Sequence, residues 1–218
     1  MIKLLIKFVI GILSIPIAVG VTTAFYQNFI LIKTLAGSLN LFFWGIGSYT
    51  VLHLLFYKPT YLYVLGHEAV HAGVTWVLGG KIKSFKVSEE GGSVGTNKSN
   101  TLIELSPYFI PIYAIIIAII YFVIASSYKI NGSVFIFLIG FTLAFHMILT
   151  VEVMKIRQPD IMKSGFFFST ILVYVFNILV IALMFSMIFH DFSAKKFFID
   201  SWLSSKSAYI AIVKQLFF

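Results

Sequence analysis

Cysteine is missing from this chain, so disulfides and thiolate metal ligands are both excluded. Charge is scarce as well: Asp, Glu, Lys and Arg make up 11% of the 218 residues. A soluble globular domain carries about 25% charged and about 45–50% apolar residues. Here the apolar share is 60%. No stretch is long and polar enough to form a sizeable water-soluble domain, and there is no internal repeat or low-complexity linker. Any metal ligand must come from five His, three Asp and five Glu. The net charge of +8 comes from basic residues scattered between apolar segments. That distribution reads as anchoring at a membrane surface and excludes a nucleic-acid patch.

What is present is long apolar runs. Six of them, at 4–25, 36–57, 61–78, 108–128, 134–155 and 166–189, have the roughly 17–25 residues that a spanning helix needs. Lys58-Pro59, Asn131-Gly132 and Gln158-Pro159 punctuate them. The pattern predicts an all-α polytopic membrane protein with about six transmembrane helices. It would be a single integral, multi-pass domain over 1–218, in contact with the lipid bilayer of the cell (inner) membrane. Lys3 and Lys7 stand at the start of the first run, which continues without a clear small-residue cleavage site, so a retained helix is expected. Residues 81–96 place KIKSFKVS and SVGTN around Glu89-Glu90-Gly91-Gly92, which predicts a short β-hairpin. The tail 195–218 alternates apolar residues with Lys195, Lys196, Asp200, Lys206 and Lys214, the pattern of an amphipathic interfacial helix.

Inside the third run stands His67-Glu68-Ala69-Val70-His71. On a helix the two histidines lie one turn apart on one face, within reach of a single Zn2+, and Glu68 stands beside them to take a proton from metal-bound water. Chance gives about 0.003 such matches in a chain of this composition. Glu and His are costly in hydrocarbon, which favours a functional role over a structural one. Gly79-Gly80 ends the helix.

A hydrolytic zinc site takes three protein ligands and leaves one position for water. Alternating spans place two candidates on the side of His67 and His71: Asp160, after the helix break at Pro159, and His146, mid-helix in the fifth run. In that scheme the third and fifth helices run in the same direction. Glu152 reads as an interfacial carboxylate paired with Lys155 or Arg157. Asn177 reads as an interhelical hydrogen bonder or a substrate-binding amide, and His53 and His190 as interfacial side chains.

Taken in order, Gly66-His67-Glu68-Ala69-Val70-His71-Ala72, the Gly79-Gly80 break, the hairpin, and an Asp after the second following helix resemble the site-2 protease family of intramembrane zinc metalloproteases. The likeness covers roughly 61–189, which would be the catalytic core. It implies zinc ligation by His67 and His71, Glu68 as general base, and Asp160 as the third ligand. It also implies an active site facing the cytosol and a membrane protein or peptide as substrate. The family's Asn-x-x-Pro segment leading into Asp-Gly differs here, since Pro159 directly precedes Asp160 and Gly165 comes five residues later. Two rival readings are an inactive helix-binding adaptor and a zinc hydrolase of lipid or another small amphiphile. The presence of Glu68 argues against the first. A transporter is disfavoured by the absence of repeated halves.

Overall fold

The computed structural model describes residues 2–32, 36–56, 58–156 and 158–217. They form two compact units, one from 1–35 with 159–218 and the other from 36–158.

The second unit holds the His-Glu-His motif. It comprises α2 (Ala36–Leu55), α3 (Thr60–Val77), β1 (Ile82–Val87), β2 (Gly92–Thr96), α4 (Thr101–Leu105), α5 (Ile112–Ala125) and α6 (Gly132–Lys155). Helices α2 and α6 touch through their backbones. A Cβ at Gly45 would collide with the Phe137 carbonyl, and one at Gly140 with the Phe42 carbonyl. Small residues at such a crossing are how apolar helices gain close packing where no hydrophobic driving force separates helix from lipid. Tyr49, Tyr63, Ala144, Phe145 and Leu149 build the core next to it.

Helix α3 ends as Gly79-Gly80 predicts. Gly79 adopts φ +76°, its N–H donates to the Trp76 carbonyl, and the Gly80 N–H donates to Thr75 at 2.8 Å. The predicted hairpin is present, with β1 antiparallel to β2 and Phe85 opposite Val94. The chain then descends beside α3. Asn100 caps α4, its side-chain oxygen accepting from the Ile103 N–H at 2.9 Å. A single 3-10 turn at Ser106–Tyr108 follows. The path bends by 74° before α5. The fourth apolar run is therefore broken between its two prolines, Pro107 and Pro111, where the sequence predicts a continuous span.

The first unit comprises α1 (Ile2–Phe29), α7 (Pro159–Ser164), α8 (Phe166–Ile188) and α9 (Ala194–Phe217). Helices α1 and α8 run in the same sense: Phe8 meets Phe167 at 5.2 Å between ring centroids, and Phe25 meets Phe185 at 5.5 Å. First and sixth spans of an alternating chain would run oppositely. Helix α9 lies antiparallel along α1, pairing Asp200 with Asn28, Ser205 with Gly20 and Tyr209 with Leu13.

Among the described residues three helices, α1, α6 and α8, are long and apolar enough to cross a membrane. A fourth joins them if the bent 101–125 pair is one span. This corrects the expectation of six. Helix α2 is long enough but diluted by Gly, Ser, Asn and His, and α3 carries the polar motif. Helix α5 has 14 residues, about 21 Å against the roughly 30 Å hydrocarbon core.

One polar cluster ties α9 down. Lys196 Nζ lies 2.7 Å from Asp200 Oδ2, and the amide of Asn28, only 2% exposed, donates to the same oxygen at 2.9 Å. Lys196 first and Asn28 second hold the Asp200 carboxyl below its ordinary value. Such a group stabilises the fold above its unfolded pKa of about 3.9 and loses that contribution as pH falls through the lower folded value. Thermal melting should therefore show an acid-induced loss of stability below about pH 4 that is reduced in Asp200→Asn.

Candidate metal centre

The motif residues lie on α3 in the second unit, with Glu68 buried and the two histidines half-buried. The His67 and His71 rings are 4.9 Å apart between centroids and nearly perpendicular, as one helical turn requires. His71 Nδ1 lies 2.9 Å from the Ile103 carbonyl oxygen of α4. A carbonyl only accepts, so Nδ1 carries a proton and Nε2 is the nitrogen left to ligate. Metal-ligating histidines typically have this second-sphere arrangement, which fixes tautomer and ring angle together. With Nδ1 engaged in this way, His71 Nε2 is the nitrogen that could ligate a metal ion beside His67.

His67 is set by aromatic neighbours. Tyr108, fully buried in the 3-10 turn, meets it edge-on at 5.1 Å, and Tyr63 lies at 5.8 Å. Glu68 is 7% exposed. The hairpin closes over it, because a Cβ on Gly92 would stand 2.6 Å from Glu68 Cγ and 2.8 Å from Val64 Cγ1. Only glycine lets β2 come this near the glutamate.

His146 is also 7% exposed and lines a cleft that includes His67. Among the described residues, its ring does not join those of His67 and His71 in a cluster tight enough to share one ion. Helices α3 and α6 run in opposite senses: Lys58 pairs with Glu152 before α3 begins, Tyr63 packs on Phe145, and His67 shares the cleft with His146. The alternating-span scheme made them parallel. His146 still reaches the level of His67, but the chain leaves α6 at the end where α3 starts.

Asp160 opens α7 in the first unit and is half-buried. Asn177, 6% exposed in the first unit, turns its amide back to the Val173 carbonyl of its own helix at 2.9 Å. Glu152 binds Lys58 Nζ at 2.8 Å and His53 Nε2 at 3.1 Å. This replaces the expected Lys155 partner; Arg157 lies outside the described residues. His53 is buried and also meets the Tyr49 hydroxyl at 3.2 Å, so it is not an interfacial side chain. His190 is exposed at the end of α8, as an interfacial histidine would be.

Sequence reasoning missed Ile103, Tyr108 and Gly92. Ile103 acts through its carbonyl, which no side-chain pattern reveals. The Pro107 and Pro111 pair, which reads in the sequence as the opening of the fourth helix, instead brackets a break, and that break carries Tyr108 to His67. The Asn100 cap gives a direct test. If the turn holds a metal ion, Asn100→Ala should loosen α4, free the His71 ring and weaken that affinity about 10-fold, read by competition with a chromophoric chelator.

The fold and the site together define a helical membrane-type protein that carries a His-Glu-His turn with its glutamate buried, its histidines half-buried and one histidine hydrogen-bonded to a backbone carbonyl. No family model, no curated protein and no solved structure matches the chain.

Proposed function

We propose that this protein is an intramembrane zinc metalloprotease of the site-2 protease type, a multi-pass enzyme of the cell (inner) membrane that hydrolyses a peptide bond in a membrane-embedded substrate. The observation that carries the reading is the His71–Ile103 hydrogen bond at 2.9 Å, which presents His71 Nε2 beside His67 and buried Glu68 on one helical turn. A helix-binding adaptor has no use for an imidazole nitrogen presented beside a second imidazole and a buried carboxylate.

His67 and His71 would hold the ion; the family resemblance assigns Asp160 as third ligand, which would complete the two-imidazole, one-carboxylate donor set of hydrolytic zinc sites. His146 is the alternative third ligand. Zinc, when bound, supplies Lewis acidity that brings the pKa of water toward about 7. Glu68 takes the proton of the attacking water and returns it to the leaving nitrogen. A substrate helix hides its carbonyls in its own hydrogen bonds, so it must be extended before attack. The hairpin strand that Gly92 brings against Glu68 offers an edge for strand addition. Asn177 is retained as a candidate substrate-binding amide.

Metal content of the detergent-purified chain tests the ligand set. The expected outcome is about one zinc per chain. Asp160→Ala should lose most of it and His146→Ala should keep it; the reverse result would transfer the third-ligand role to His146. A wild-type chain without zinc after reconstitution would overturn the hydrolase reading.

A further inference from the structure

A cleft opens beside His67 within the second unit. Its walls come from three places: Tyr63 and Gly66 on α3, the turn around Pro107 and Ile110 with the start of α5 at Tyr113, and Phe145 with His146 on α6. The free space is about 10 Å³, which is room for about one water-sized group. We infer that this cleft is the subsite for one substrate side chain flanking the scissile bond, and that it admits glycine, alanine or serine but excludes larger or cationic residues. The inference rests on the proteolytic reading above and specifies its substrate class.

Three features make the limit on size firm. The Tyr113 ring is held edge-on to Phe145, 5.4 Å between centroids and 79° between planes, and its hydroxyl donates to the Leu62 carbonyl. The bend that carries Ile110 lies between Pro107 and Pro111, whose fixed backbone angles restrict its movement. Gly66 already touches the opposite wall, since a Cβ there would stand 2.8 Å from Tyr113 Cε2 and 3.0 Å from Ile112 Cγ2. A methyl or hydroxymethyl group fits the space left, whereas leucine brings four carbons. Among the described residues two imidazoles but no carboxylate line the cleft, so a cationic side chain would be buried without an ion partner. Because His67 forms part of the wall, whatever enters lies next to the proposed metal ligand. The geometry thus selects substrates whose membrane segment carries a small residue at the cut.

The test uses the zinc-loaded full-length chain in detergent and apolar helical reporter peptides. These are identical except for Gly, Ala, Ser, Leu or Phe at the residues flanking the cleaved bond. Wild type should cut the alanine peptide at least about 10-fold faster than the leucine peptide at one flanking position. Tyr113→Ala and Ile110→Ala enlarge the cleft by different routes, and each should raise the leucine-to-alanine rate ratio by about 10-fold. An unchanged ratio in both variants, with zinc content and melting temperature like wild type, overturns the subsite. So does a wild-type enzyme that is indifferent to side-chain size. If wild type cuts no peptide in a Glu68-dependent way, the proteolytic reading fails instead. Binding of the same peptides to Glu68→Gln then decides the cleft's role. A preference for alanine over leucine that Tyr113→Ala removes supports it, and equal binding overturns it.

Discussion

Glu68→Gln should abolish measurable cleavage while leaving zinc in place. Glutamine keeps the shape and hydrogen-bonding reach of glutamate but cannot accept the proton that the attacking water must lose. Loss of a positioned general base costs about 10²–10⁴ in rate. The environment of Glu68 sharpens the expectation. It is 7% exposed and packed beneath the hairpin at Gly92, so bulk water and buffer bases are poor substitutes. Cleavage of a membrane reporter by wild type and Glu68→Gln, with zinc measured on the same samples, separates the two roles of the turn. Equal zinc and a lost rate fit a proton carrier. Equal zinc and an equal rate would remove Glu68 from the chemistry and with it the protease reading.

The second large effect falls on the α2–α6 crossing. Gly140→Val should collapse the second unit. A side chain there meets the Phe42 carbonyl, and the reciprocal contact sets Gly45 against the Phe137 carbonyl. Overpacking ordinarily costs about 1–3 kcal/mol when side chains can yield. Here the obstacle is backbone on both helices, so relief requires separating them. That separation breaks the packing of Tyr49 on Phe145 and the His53–Glu152 contact, both of which bridge these helices. The consequence reaches the metal centre, because Phe145 and His146 form the α6 wall of the cleft beside His67. Gly47→Ala on α2 is the control: nothing lies within 4 Å of a Cβ at that site. Alanine there should match or slightly exceed wild-type stability through its better helix propensity. Melting temperature and monodisperse yield in detergent measure both variants; a stable, zinc-binding Gly140→Val chain would show that the crossing is not needed.

Much of the local structure was legible in the chain. The helix bearing His67, Glu68 and His71, its stop at Gly79-Gly80 and the hairpin over 81–96 all follow from short-range rules. Each is decided by helical periodicity, left-handed backbone or turn chemistry within a few residues. The number of spans was not legible in the same way. Apolar length alone admitted six runs, yet 14-residue α5 and the bend after Tyr108 depend on where Pro107 and Pro111 let the chain turn against α3. Helix direction was likewise misread, because alternation assumes that every apolar run crosses.

By itself, then, the sequence determined an apolar, helix-rich, cysteine-free chain and placed two imidazoles and a carboxylate on one helical turn. Spacing of 3.6 residues per turn settles that without reference to anything distant. Only the tertiary structure decided which carbonyl accepts from His71 Nδ1, which glycine admits a strand against Glu68, and which side chains confine the space beside His67. Those are contacts between residues 24 to 79 positions apart, set by the packing of α3 against α4, the hairpin, α5 and α6. Packing complementarity of that kind leaves no periodic trace in the chain.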